Sequence, residues 1–188
     1  MADVHDQIRD FWNRDAHTYD DSVSHAISDP LEAAAWRAAI HAALPDAGAK
    51  ILDAGAGTGA LSLLAAELGY EVTALDLSEG ILSKARAKAE AAGSELTFVV
   101  GSAAEPPSGP FDAIIERHVL WTMPDPVKVL RAWRDVASPG GRLVLFEGVW
   151  GADTVTQKAK DRAAEAIRRV LGVREHHHAE SHSSTVTA

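Results

Sequence analysis

The stretch Ile51–Ala60, ILDAGAGTGA, decides the fold. It opens as an apolar strand that runs into Asp53, and Gly55, Gly57 and Gly59 then alternate. Leu61 to Leu68 reads as a short helix stopped by Gly69, and a second strand, Glu71 to Leu75, ends in Asp76. A strand, a glycine turn, a helix N-terminus and a second strand ending in a carboxylate make a pocket for an adenosine-containing ligand. Glycine lets the ligand approach the backbone with no Cβ in the way, and the carboxylate can accept from both ribose hydroxyls. Gly55-x-Gly57-x-x-Ala60 also satisfies the dinucleotide fingerprint, which tolerates Ala at its last position. Asp53 argues against that ligand, because a strand-end acid attracts an ammonium and repels a pyrophosphate.

Outward from this stretch, helix and strand alternate. Val4, Ile8, Phe11 and Trp12 share one helical face and predict an amphipathic opening helix. Asp29 followed by Pro30 is an N-cap with proline at the first helical position, and that helix runs to about Leu44, before Pro45. Strands are predicted near 50–54, 71–76, 96–100, 111–116 and 142–147, with helices near 59–68, 79–92 and 126–137. The helix after Asp76 is capped by Ser78 and stopped by Gly93, and Ile81, Leu82, Ala85 and Ala89 form its apolar stripe. A further helix, Thr154 to Leu171, carries Val155, Ala159, Ala163, Ile167 and Val170 in register. Strands separated by helices imply an α/β domain, with a mostly parallel sheet and right-handed crossovers. Ligands bind such sheets beyond the carboxyl ends of the strands, where the strand order reverses.

The pattern D-x-G-x-G-x-G at Asp53–Gly59 resembles motif I of class I S-adenosylmethionine-dependent methyltransferases, and the resemblance covers roughly residues 10 to 150. It implies a Rossmann-like three-layer sandwich and S-adenosyl-L-methionine as cofactor. Asp53, Ala54, Gly55, Gly57 and Gly59 would wrap the methionine and ribose portions, and Asp76 and Leu77 would hold the ribose. Gly101-Ser102-Ala103-Ala104-Glu105 is similar to the family's segment flanking the adenine, with Ser102 where many members carry an acid. Arg117-His118-Val119-Leu120-Trp121 follows the fourth strand, where the family lines the methionine and acceptor region. The resemblance makes Arg117 a cofactor contact, and Trp121 either a wall of the acceptor pocket or a residue packed under the lid. Tyr19 matches a position from which an N-terminal tyrosine closes over the cofactor. His118 is the candidate general base, since an imidazole titrates near neutrality.

Composition bounds the rest. At 188 residues the chain fits one domain, and a domain of this size buries about 70% of its unfolded surface without staples. There is no cysteine, hence no disulfide framework and no thiolate metal site. A net charge of −9 argues against nucleic acid as a partner. No apolar run approaches the roughly 18 residues of a membrane span, and the first residues lack the basic head and apolar core of a signal peptide. A cytoplasmic location and a small-molecule acceptor follow as expectations. The domain is expected over residues 1–172, with a helical lid over 1–45, and 173–188 as a disordered polar tail. His176, His177, His178 and His182 belong to that tail, since adjacent histidines point in different directions and form no single metal site. The residues after Leu171 are few and mostly polar, so the family's usual last pair of strands is expected to be missing here. The sheet is therefore expected to stop at its fifth strand, leaving an edge through which copies of the chain could associate. Two rival readings stay open: a nicotinamide-dependent oxidoreductase, favoured by the dinucleotide fingerprint, and a cofactor-binding chain without catalysis, favoured by the short C-terminus.

Overall fold

The computed structural model describes residues 4–21 and 26–147. The helix expected at Thr154–Leu171 and the histidine-rich tail lie outside the described residues. The elements are α1 (Val4–Asp15), a 3-10 turn (Tyr19–Asp21), α2 (Pro30–Ala43), β1 (Lys50–Ala54), α3 (Ala60–Glu67), β2 (Glu71–Asp76), α4 (Glu79–Ala92), β3 (Thr97–Val100), β4 (Phe111–Arg117), a second 3-10 turn (Leu120–Thr122), α5 (Pro126–Val136) and β5 (Ala137–Phe146). All strand pairs are parallel, and the order is β3-β2-β1-β4-β5. The order reverses between β1 and β4, so the chain leaves both of these strands at the point where such sheets take ligands.

Local chemistry explains the boundaries. The Asp29 carboxylate accepts from the backbone N–H groups of Leu31 and Glu32, and Pro30 fills the first helical position of α2. The Ser78 hydroxyl accepts from Ile81 N–H at the start of α4, and Gly93 ends that helix with a φ of 65°. Successive strand residues point to opposite faces. On one face Ile51, Val72, Ala113 and Ile115 pack with Ile40 of α2 and Leu61, Leu64 and Ala65 of α3. On the other, Leu52, Ala54, Leu75 and Ile114 pack with Val129 and Trp133 of α5. Helices on both faces of one parallel sheet make the three-layer Rossmann-like architecture. Among the described residues no helix is long and apolar enough to cross a membrane.

Most boundaries agree with the sequence reading to within a residue, but β5 departs from it. Pairing starts at Ala137, opposite Phe111, and not after the Pro139-Gly140-Gly141 turn; it is then interrupted and resumes at Arg142, opposite Ala113. The Ser138 hydroxyl donates to Asp112 of β4 at 2.9 Å, which pulls the segment before the turn into the sheet as a bulge. The run Leu143-Val144-Leu145-Phe146 reads as buried on both faces, yet Leu143 and Leu145 are 39% and 41% exposed. Only Val144 and Phe146 pack against the core. Among the described residues β5 is an edge strand, and α5 directs its buried residues toward Leu52 and Ile114 further inside the sheet.

Candidate active site

The glycine turn is built from left-handed backbone. Gly55, Gly57 and Gly59 have φ values of 86°, 57° and 83°, a region that side chains with a Cβ rarely adopt. The turn is tied to the end of β2, because Gly55 N–H and Ala56 N–H both donate to the Leu75 carbonyl, at 2.8 and 2.9 Å. Gly57 N–H donates to Asp76 Oδ2 and Ser78 N–H to Asp76 Oδ1, each at 2.9 Å. A carboxylate has about four lone-pair sites, so each Asp76 oxygen retains acceptor capacity. Burial raises the Asp76 carboxyl above its usual range, against the pull of the Ser78, Gly57 and Leu77 N–H groups.

Asp53 is buried beneath this turn and accepts from the Ser62 hydroxyl at 2.6 Å. Burial pushes its carboxyl up to about 6, although the Ser62 hydrogen bond and the Arg117 charge both favour the ionised form. A cavity of about 20 Å³ is lined by Tyr19, Asp53, Gly55, Thr58 and Arg117, among others. That volume holds about one water, because the N-terminal segment closes over the turn. The Tyr19 hydroxyl lies 3.0 Å from where a Cβ on Gly57 would stand. Burial, with the nearby Asp76 carboxylate, pushes this phenol up to about 12, so it stays protonated. Asp20 anchors the segment by accepting from Thr58 Oγ1 at 2.6 Å and pairing with Lys88 at 2.7 Å. Asn13 Oδ1 accepts from Ser78 Oγ at 2.6 Å and from Gly80 N–H at 3.1 Å, which seats α1 on the start of α4.

The chain after β4 forms the other wall. Glu116 is fully buried, and its Oε2 accepts from Val119 N–H at 2.7 Å and Leu120 N–H at 3.2 Å. Burial raises its carboxyl, and the Glu147 charge raises it further. His118 holds a φ of 63°, the one non-glycine with positive φ among the described residues. Its Nδ1 lies 3.5 Å from Glu147 Oε2. The Val119 side chain packs directly on Gly55. Arg117 stacks on Trp36 of α2, its guanidinium carbon 5.5 Å from the ring centroid.

The fold thus gathers Tyr19, Asp53, Gly55 and Arg117 around one cavity, with Gly57, Gly59 and Asp76 in the surrounding turn and strand end. Ala54 is buried in the core, where its side chain packs with Leu52 and Leu75. Leu77 is half-buried between Asp76 and Ser78. Ser102 accepts from Ala104 N–H at 3.2 Å, and the Ala103 carbonyl accepts from Trp133 Nε1 at 2.7 Å. Both residues stand beyond the end of β3 and outside the cavity lining, as does His118. Trp121 is 61% exposed and stands outside the lining of that cavity. Sequence reasoning assigned no role to Asn13, Asp20, Thr58 or Glu116, and reached Val119 only as part of the segment after the fourth strand. Glu116 left a signal, an acid directly after the apolar Ala113-Ile114-Ile115. Among the described residues no group of histidines and acids could hold a metal ion.

Residues 52–145 match the family described as Methyltransferase domain. The chain is 38% identical over 109 residues to the ubiquinone biosynthesis O-methyltransferase of Xanthomonas axonopodis pv. citri (strain 306), a match covering 56% of this chain and 46% of that protein. It therefore spans about half the length of the curated relatives it matches. An S-adenosylmethionine-dependent methyltransferase of Mesorhizobium loti superposes with a TM-score of 0.51 at 32% identity, over 57% of this chain and 50% of that one. The cyclase SpnF superposes with a TM-score of 0.66 at 21% identity, over 76% of this chain and 60% of that one. That last likeness is one of fold alone, and a fold does not by itself fix a reaction.

Proposed function

The chain belongs to the class I S-adenosylmethionine-dependent methyltransferase family, and from that premise we propose that it transfers a methyl group from S-adenosyl-L-methionine to a hydroxyl of a small-molecule acceptor. The observation that carries this reading is the left-handed glycine turn whose middle N–H is held by Asp76. The turn is a cradle that any Cβ would fill: at Gly57 it would meet Tyr19, at Gly55 Val119, and at Gly59 Ala85. Tyr19 and Val119 must give way for an adenosine to enter, and the anchors of α1 and Asp20 are polar contacts that can open and reform.

Charge supports the same ligand. Asp53, Asp76 and Glu116 end or nearly end three neighbouring strands, and burial raises all three carboxyls above their usual range. Such a site gains from a cationic ligand and loses from a pyrophosphate. S-adenosyl-L-methionine supplies a methyl on a sulfonium, which leaves behind a neutral thioether. Asp76 would accept from the ribose hydroxyls with its remaining lone pairs. Asp53 would supply negative charge near the sulfonium. Tyr19, protonated throughout, would close from the lid and exclude water. His118 would take the proton that the hydroxyl releases as its oxygen bonds to the methyl carbon, and Glu147 would stabilise the imidazolium. Holding the nucleophile in line contributes roughly 7–11 kcal/mol. The choice of a hydroxyl is supported by the curated relatives, which are named O-methyltransferases. A cytoplasmic location is part of the proposal, since the methyl donor is made there.

Calorimetric titration and melting with S-adenosylhomocysteine and with NAD test this reading. Saturation at about 100 times the dissociation constant adds about 2.7 kcal/mol, so the homocysteine derivative should raise the melting temperature and NAD should not. A shift with NAD and none with the homocysteine derivative would overturn the assignment.

A further inference from the structure

We propose that Glu116 is a positioning residue: its carboxylate clamps the backbone after β4 and thereby sets the wall that Val119 forms against the glycine turn. The inference rests on the methyltransferase reading for its ligand and on geometry for its mechanism. Glu116 is fully buried, and one oxygen, Oε2, takes both the Val119 and the Leu120 N–H. Two amides on one oxygen close a tight loop of Glu116-Arg117-His118-Val119. Within that loop His118 holds a φ of 63°, in the left-handed region, although it is not glycine. Non-glycine residues in that region persist where surrounding contacts hold them, and they cluster at functional sites.

The clamp has two outputs. It directs Val119 onto Gly55, so that the side chain closes the space above the first glycine of the turn. It also places Arg117 on one side of the loop, against Trp36, and His118 at the end of β5, beside Glu147. The arrangement is costly for a purely structural device. Oε1 of Glu116 is buried without a hydrogen-bond partner among the described residues, and the Glu147 and Asp53 charges both oppose ionisation of Glu116. An uncharged glutamine would supply the same acceptor oxygen to both amides. The clamp and the charge can therefore be separated.

Glu116→Gln and Glu116→Ala are compared with the unaltered chain, by calorimetric titration with S-adenosylhomocysteine and by amide hydrogen exchange without ligand. The alanine variant should bind at least tenfold more weakly and lose protection at the Val119 and Leu120 amides. The glutamine variant should stay within about threefold and keep that protection. If alanine binds as well as the unaltered chain, or if both variants lose affinity equally, the clamp is overturned. Should the alanine variant not fold, Val119→Ala decides: it removes the output and keeps the clamp, and unchanged affinity would sink the proposal. An unaltered chain that binds no homocysteine derivative would instead refute the methyltransferase reading, while the exchange data would still report on the clamp.

Discussion

The two ends of the same sheet treat their acids in opposite ways. At the lower end, where strands begin, Asp112 accepts from Lys50 N–H and from the Ser138 hydroxyl, each at 2.9 Å. These bonds, the Lys50 amide foremost, hold its carboxyl below the usual range. Arg142 donates to the Ala43 and Leu44 carbonyls, and the Tyr70 hydroxyl to the Pro45 carbonyl, so the helix-to-strand corner is closed by satisfied polar groups. At the upper end, where strands finish, Asp53, Asp76 and Glu116 are all pushed the other way by burial. Buried polar groups are nearly always satisfied in folded proteins, and perturbed acids concentrate at functional sites. The lower end joins elements; the upper end keeps acceptor capacity and negative charge, which in our reading serve a ligand.

The sharpest way to break this contrast is to place the same change at each end. Gly57 has a φ of 57° and faces the Tyr19 hydroxyl, whereas Gly48, just before β1, has a φ of 89° and nothing within 4 Å of its would-be Cβ. Gly57→Val should weaken S-adenosylhomocysteine binding more than 100-fold, a loss of about 2.7 kcal/mol or more. Gly48→Val should lower the melting temperature through backbone strain and leave affinity unchanged. Equal effects on affinity from the two variants would mean that the ligand does not contact the turn.

Asp53→Asn tests the charge half of the argument. An asparagine still accepts from Ser62 but carries no charge to bury. Burial pushes the folded carboxyl of Asp53 up to about 6 from an ordinary 3.8, so the folded state binds the extra proton between those values. Stability contributed by Asp53 therefore falls as pH rises through that window, by about 3 kcal/mol in all at 1.36 kcal/mol per unit. The variant should match the unaltered protein below about pH 4 and be more stable above pH 6, while binding the sulfonium donor more weakly than before. Chemical denaturation at pH 4 and pH 8 gives the comparison, and a variant less stable at pH 8 would show that Asp53 is satisfied after all.

How much of this was legible follows from the range of each interaction. β1, β2, α4 and the glycine turn are local: Asp53, the alternating glycines, Asp76, Ser78 and Gly93 lie close in sequence and carry their own capping and turn chemistry. The lid contacts are not. Thr58 reaches Asp20 across 38 residues and Ser78 reaches Asn13 across 65, between ordinary polar side chains that mark nothing in the chain. β5 misled for a related reason. Its apolar run suggested burial on both faces, but position at the sheet's edge is a property of strand order, and the Asp112–Ser138 bond that recruits Ala137 joins two different elements. The family resemblance offered roles for Tyr19 and His118, while the neighbours that hold them, Asp20 and Glu116, are brought to them only by the fold.

Asp76→Ala should have a smaller effect than Gly57→Val, because it removes an attraction and adds no obstruction. The carboxylate holds the Gly57 and Ser78 amides as well as, in our reading, the ribose. Hydrogen bonds to a charged group are worth roughly 1.5–3 kcal/mol, which corresponds to about 10- to 150-fold in affinity for S-adenosylhomocysteine. The turn keeps its two bonds to the Leu75 carbonyl, so the variant should fold. Unchanged affinity in a folded variant would remove Asp76 from the site.

The smallest effect belongs to the lower end, and its sign is the most telling. Asp112 is half-buried, and its carboxyl is lowered by the Lys50 amide and then by Ser138. A lowered folded-state value means that Asp112 contributes stability above its unfolded value, lost as pH falls through the folded one. Asp112→Asn should therefore lower the melting temperature slightly at pH 7, and the difference should fade as the pH is taken below the ordinary carboxylate range. Asp53→Asn raises stability at neutral pH and Asp112→Asn reduces it, though each replaces a strand aspartate by its neutral isostere. Affinity for S-adenosylhomocysteine should be the same in the Asp112 variant as in the unaltered chain, since Asp112 pairs with the start of β1 and not with its end. A loss of affinity there would show that the two ends of the sheet are coupled through β1 and β4, and the division between a joining end and a binding end would fail.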